Sequence, residues 1–285
     1  MKADLAITMI LSACVCGAET PTPNPLYTVT VLERTTKAIN YGYKNGPTRV
    51  DFQGTVVQPD ARGAATVDSR RGVTGIEAKF SRLEDPARYG GQYLTYVLWA
   101  LTPEGRAMNL GEVILDPRNK GKLNVATGLQ AFALIVTAEP YYSVSSPSGV
   151  VVMENVVRQD TVGKAQDLNV RYELLPPQPF TFDTGAAAAS QNTPKVSMSE
   201  YEALLALYQA QNAIRIARAA GADREAADSL RKAEELYRAA EGYRGGRSEH
   251  KQVVIAAREA VQAAEDARLI TLKRRSEATN QAGLK

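Results

Sequence analysis

Residues Tyr96 to Leu101 (Tyr-Val-Leu-Trp-Ala-Leu) are apolar at odd and even positions alike. A strand turns successive side chains to opposite faces, so such a run is stable only where both faces are covered. The run also holds the only tryptophan of the chain. Thr102-Pro103-Glu104-Gly105 follows, with proline and glycine where a type I turn favours them, which predicts a hairpin into Met108–Leu115. Ala131 to Ala138 is a second two-faced apolar run, ended by Pro140. The stretch from Gln92 to Pro140 is therefore the part around which the rest packs, and Trp99 is expected to be a core anchor rather than a ligand-stacking platform.

Shorter segments on either side alternate instead. Tyr27 to Leu32 reads as a first strand. Thr48 to Val57 places Val50, Phe52 and Val56 on one face against Arg49, Asp51 and Gln53 on the other. Val73 to Phe80 repeats the pattern with Ile76, Ala78 and Phe80 inward, Leu123 and Val125 alternate after a turn at Pro117 to Gly121, and Gly149 to Val157 is the last clear strand. Short strands between turn clusters, with no helical period among them, predict an all-β sandwich or barrel over residues 26–175.

Pro176-Pro177-Gln178-Pro179 stops the sheet, and residues 176–196 read as a linker. Ser197-Met198-Ser199-Glu200 is a capping box, which opens a helical region over residues 197–285. Ala203, Leu207, Ala210, Ile214 and Ala217 recur at alternating four- and three-residue spacing. Ala226, Leu230, Ala233, Tyr237 and Ala240 repeat that seam, as do Val253, Ala257, Ala260, Ala264 and Ala267. Gly221 reads as a helix stop with Asp223 as a new N-cap, and Gly242 to Gly246 as a second break. Alanine at so many seam positions allows close backbones, so the expectation is an antiparallel helical hairpin or a three-helix bundle. The fold class is thus α+β in two domains.

Several function classes are excluded by what the sequence lacks. A net charge of +3, from 34 basic and 31 acidic residues spread along the chain, leaves no footprint for nucleic acid. The two cysteines, Cys14 and Cys16, both lie in the first apolar segment, so the rest of the chain can hold neither a disulfide framework nor a cysteine metal site. The single histidine, His250, stands beside Glu249 and Lys251 and reads as a solvated surface residue. No phosphate loop, dinucleotide fingerprint, zinc-ligand spacing, EF-hand loop or nucleophile elbow is present. The paired carboxylates Glu234-Glu235 and Glu265-Asp266 sit among Lys and Arg, where ion pairing is the ordinary explanation. No catalytic, cofactor-binding or metal-ligating residue is therefore expected, nor any cofactor. Glu139-Pro140 reads as a strand terminator. Tyr141 and Tyr142, on the loop that follows, are the candidate ligand or partner surface.

The amino terminus bears on compartment. Lys2 precedes the apolar run Leu5 to Leu11, the order of a secretory signal and too short to cross a membrane as a helix. Leu11-Ser12-Ala13-Cys14 resembles a bacterial lipobox, which implies lipidation of Cys14, and Val15 after it implies delivery to the outer membrane. The alternatives are cleavage after Ala18 to release a free periplasmic protein, or no processing. Residues 1–18 are thus a signal segment and residues 19–25, rich in proline, a stiff tether.

Two further resemblances follow. Tyr96 to Leu101, the turn with Gly105, Asn109-Leu110-Gly111-Glu112-Val113, Leu134 to Pro140 and Pro147-Ser148-Gly149-Val150-Val151 resemble the extracytoplasmic domain of anti-sigma-K factors over residues 65–155. This implies an immunoglobulin-like antiparallel β-sandwich outside the cytoplasm. Those factors carry a cytoplasmic helical domain and a transmembrane helix ahead of the sandwich that have no counterpart here, so the resemblance carries the fold more than the regulatory activity. The alanine-spaced segment Ala203 to Arg275 resembles a helical domain of unknown function found ahead of OmpA-type peptidoglycan-binding domains. Together these readings imply a non-enzymatic cell-envelope protein, an outer-membrane lipoprotein held by its lipid anchor and serving as a structural or protein-interaction scaffold. Its partners would be envelope or peptidoglycan-associated proteins. The alternatives are a periplasmic glycan- or peptide-binding module and a regulator related to anti-sigma factors.

Overall fold

The computed structural model describes residues 31–41, 46–70, 72–158, 164–173, 197–244 and 249–283. The signal segment, Cys14, the tether and the linker at 176–196 lie outside the described residues. The fold is α+β: among the described residues ten strands, every pair antiparallel, are followed by a helical region. The strands are β1 (Val31–Asn40), β2 (Thr48–Gly54), β3 (Arg62–Arg70), β4 (Val73–Ser81), β5 (Thr95–Leu101), β6 (Ala107–Val113), β7 (Lys120–Thr127), β8 (Ala131–Glu139), β9 (Val151–Val156) and β10 (Lys164–Glu173).

A nearly closed ring runs β6–β5–β8–β9–β2–β3–β4–β7, with β7 returning beside β6 through an isolated bridge between Leu115 and Gly121. A long ribbon of β1 and β10 joins the ring where Ile39 and Asn40 pair with Phe132 and Ala131 of β8. Closure explains the two-faced strands. Tyr96, Leu98 and Ala100 of β5, with Phe132, Leu134, Val136 and Ala138 of β8, fill the interior beside Phe52, Ile76, Phe80 and Met153. Val97, Trp99 and Leu101, with Ala133 and Ile135, turn outward and are buried beneath the helices. Trp99 is fully buried there and donates its Nε1–H to Thr137 Oγ1 at 2.7 Å, so it is a core anchor.

The helices are α1 (Met198–Ala220), the single turn α2 (Ala222–Glu225), α3 (Ala227–Gly242) and α4 (His250–Gly283). Ser197 Oγ accepts from Glu200 N, as the capping box predicts. The predicted seam residues are buried in all three long helices, apart from half-buried Tyr237. The start of α1 meets the start of α4 through Ser199 and His250, and the end of α1 meets Arg275. These two helices therefore run in the same direction while α3 returns against them. The helices and the outer face of β5 and β8 share one hydrophobic core. Among the described residues no helix is long and apolar enough to cross a membrane.

Several local expectations are corrected by the structure. The strand beginning at Thr48 ends at Gly54, because the chain turns there: a Cβ on Gly54 would collide with the Gln58 carbonyl oxygen. Val56, expected inward, is consequently 90% exposed. Asp223 does not cap a new helix, since it lies inside the α2 turn that follows left-handed Gly221. Strands β3 and β10 are additions to the pattern read from sequence. β3 is rich in Gly, Ala and Ser, which leaves little apolar alternation to read, and β10 gains its order by pairing with β1 along its whole length. The cations Arg274 and Arg275 of α4 reach the ends of the neighbouring helices. Arg274 Nη1 donates to the Glu225 carbonyl at the end of α2, and Arg275 sits against Gly221, where positive charge complements the last carbonyls of the shorter helices.

Candidate functional site at the barrel–helix interface

The outward face of β5 and β8 is apolar at one end and polar at the other. Strand register aligns Trp99 with Ile135, Val97 with Thr137 and Thr95 with Glu139, while Glu112 of β6 lies opposite Val97. Thr95, Thr137, Glu139 and Glu112 are all buried. Burying carboxyls without partners is costly, so their partners define the site.

Glu112 accepts from Thr95 Oγ1 at 2.8 Å and from Gln209 Nε2 on the same oxygen, while its other oxygen accepts from Arg258 Nη1 at 2.7 Å. Arg258 lies over the Tyr142 ring at 3.7 Å, close enough for a cation–π contact. The Tyr142 hydroxyl donates to the Arg258 carbonyl at 3.0 Å, and Tyr142 N donates to Gln209 Oε1 at 2.9 Å.

A second network lies deeper. Arg268 grips Glu265 with two bonds, Nε to Oε2 and Nη2 to Oε1, each 2.7 Å. Tyr141 donates its hydroxyl to Glu265 Oε2 at 2.6 Å, Ser145 N donates to Oε1 at 3.0 Å, and Arg268 Nη2 reaches Ser145 Oγ at 2.9 Å. Burial pushes the Tyr141 hydroxyl well above its ordinary range, with the Glu265 charge adding to the effect. For Arg268, burial acts to lower the value, but the bonds and charge of Glu265 prevail and its affinity for the proton rises.

Glu139 stands apart from both networks. It is fully buried, its Oε1 accepts from Ser148 N at 2.7 Å and from Thr137 Oγ1, and its Oε2 has no partner. Trp99, Thr137 and Glu139 thus form one hydrogen-bonded chain. Burial raises the Glu139 carboxyl to about 8, against the bonds from Ser148 and Thr137, so it is protonated at neutral pH. Reading Glu139 as a strand terminator alone misses this role.

The two tyrosines named from sequence are brought together, but not on an open surface. Tyr141 is 0% exposed and Tyr142 is half-buried, both packed against the chain's own helices. They cross-link barrel to bundle. The loop that carries them is further pinned by Asn212 Nδ2, which donates to the Gln92 and Pro140 carbonyls, and by Asn109 Nδ2, which donates to those of Tyr142 and Val144. Glu265 and Arg268 follow the seam residues Ala264 and Ala267 directly, a spacing that sets them beside the buried stripe and could have flagged them.

The described residues also line a cleft of about 540 Å³ on the outside of the ring, at the β6–β7 seam. Lys79, Lys120 and Lys122 come from β4 and β7, Asp116 from the turn after β6, and Met198 and Glu202 from the first turns of α1. Comparison with protein-family models finds no matching family, and comparison with curated proteins finds no match.

Proposed function

We propose that this chain is a non-enzymatic cell-envelope protein, an outer-membrane lipoprotein anchored through Cys14 that serves as a scaffold for envelope or peptidoglycan-associated proteins. The observation that carries the scaffold reading is the far end of α4. That helix outruns α1, whose last turn ends beside Arg275, and from Leu272 to Ala282 every residue is exposed. Just before this projecting end Leu269, Ile270 and Leu272 are 40%, 37% and 44% exposed, an apolar strip beside it that suits contact with another protein. The welded interface beneath it supports a rigid support rather than a moving part.

The two-domain division and the immunoglobulin-like sandwich belong to the same reading. The sandwich is supported by an interior in which side chains of β2, β3 and β4 meet those of β5, β8 and β9 as two facing layers would, and the two-domain division by the chain order, in which every described strand precedes the α-helices. The periplasmic peptide- or glycan-binding alternative draws its support from the cleft at the β6–β7 seam.

Fractionation of cells expressing the chain and its Cys14→Ser variant, after labelling with a fatty-acid analogue, tests the anchor. Label and outer-membrane recovery should disappear in the variant. Photo-crosslinking from position 272 tests the scaffold: a discrete adduct with an envelope protein is expected, and a soluble, unlabelled, adduct-free protein would sink the reading.

A further inference from the structure

The charges around the cleft are not equivalent. Glu112 is taken up by Arg258, Gln209 and Thr95. Asp116 is held by the backbone N–H groups of Arg118 and Lys120 at 2.8 and 3.0 Å. Lys79 and Lys122 face each other across the β4–β7 ladder, a repulsive pairing, and both lean on Glu77 at 3.1 and 3.3 Å.

Two charges remain. Lys120 makes no ion pair among the described residues and feels Asp116 only as a nearby charge. Glu202 makes neither hydrogen bond nor ion pair there. Both are exposed, they belong to different walls of the cleft, and they do not neutralise each other. Ile114 and Met198, the latter 39% exposed at the start of α1, add apolar surface to the same lining.

We propose that this cleft binds a short zwitterionic peptide, its carboxylate taken by Lys120 and its amine by Glu202. A simple anion suits the site poorly, because Asp116 and Glu202 would face it. A purely apolar ligand would leave both free charges without gain. A cleft of about 540 Å³ falls within the range of roughly 300–1,000 Å³ typical of small-ligand sites, and Ile114 and Met198 in its lining offer apolar contact to a hydrophobic central residue. Lys79 and Lys122 beside Lys120 add positive potential at the carboxylate end. The inference deepens the peptide-binding alternative and rests on the same cleft, but it concerns neither Cys14 nor the end of α4, so it and the anchored-scaffold reading can each fail without the other.

Calorimetric titration of the full chain with the tripeptide Ala-Leu-Ala, free at both ends, is the test. Saturable binding is expected, weakened about three- to fivefold by N-acetylation and by a similar factor by C-amidation, as fits loss of one exposed charge pair. Lys120→Gln should abolish the sensitivity to amidation and keep that to acetylation, and Glu202→Gln should do the reverse. Both side chains are exposed, and an unchanged melting temperature confirms that the variants fold. Absence of saturable binding at millimolar peptide, equal binding of capped and free peptides, or displacement by inorganic phosphate at matched ionic strength would each overturn the proposal.

Discussion

Tyr141, just beyond the end of β8, donates its hydroxyl to Glu265 in the middle of α4 across 2.6 Å, joining positions 124 residues apart. The bond is buried and one partner is charged, so its removal costs more than that of an ordinary hydrogen bond. Tyr141→Phe is expected to lower stability by about 1.5–3 kcal/mol. Glu265→Ala should cost more, about 3–5 kcal/mol, because it leaves the Arg268 guanidinium buried without its carboxylate. Urea midpoints of the two variants should fall in that order. If Glu265→Ala proved the milder change, the assignment of Glu265 as the hub of the network would be wrong.

Glu139 makes stability depend on pH in a direction opposite to that of most carboxylates. Its folded value, about 8, lies above the ordinary 4.5, so between these values the folded chain keeps a proton that the unfolded chain has released. Stability therefore falls as pH rises through that window, levels off above about 8, and is unaffected by this group below about 4.5. Glu139→Gln keeps an oxygen for Ser148 and Thr137 but cannot ionise. The variant's melting temperature should gain on that of the parent steadily from pH 5 to pH 8, by an amount on the order of a few kcal/mol in stability. A constant difference across that range would remove the buried-acid account.

Gly221 ends α1 at φ +94°, and a Cβ there would collide with Arg275 Nη2. Gly221→Ala should cost more than about 1 kcal/mol, since alanine is strained at positive φ and must also displace a guanidinium. Combining it with Arg275→Ala should recover only the steric part. Thermal melts of the single and double variants separate the two contributions, and full recovery in the double variant would show that backbone strain plays no part.

These relationships are unevenly legible in the sequence. The apolar run at Tyr96 to Leu101 announces that both faces of β5 are covered, but apolar side chains do not say by what. The interior of the ring covers Leu98 and the helices cover Trp99. Alanine spacing places Ala210 and Ala257 on buried seams because helix packing is periodic within one element. Tyr141 is different: a loop next to a proline looks solvent-facing until a distant helix is laid over it. The buried polar partner Gln209 escapes a sequence reading for the same reason, and the only sequence signal for Glu265 and Arg268 is their place directly after the seam residues Ala264 and Ala267. Charge in an alanine-rich helix ordinarily marks the wet side, and only the facing carbonyls and hydroxyls of the barrel make burial tolerable. Val56 misleads in another way, since alternation continues one turn past the place where Gly54 bends the chain.

The shared core leads to a prediction about the barrel alone. Val97, Trp99, Leu101, Ala133 and Ile135 are covered by helices in the full chain, and in a fragment of residues 26–175 they would form a contiguous apolar surface facing water. The fragment should therefore bind a hydrophobic dye and associate. Trp99, the only tryptophan, reports on this directly: its emission should be shifted to the blue in the full chain and to the red in the fragment. Adding a fragment of residues 197–285 should restore the blue emission, because the seam between barrel and bundle contains groups complementary in charge as well as shape, with Glu112 against Arg258 and Tyr141 against Glu265. A barrel fragment that keeps the emission and melting temperature of the full chain would show that the helices are dispensable to it, and that the buried networks between them contribute nothing to holding the barrel together.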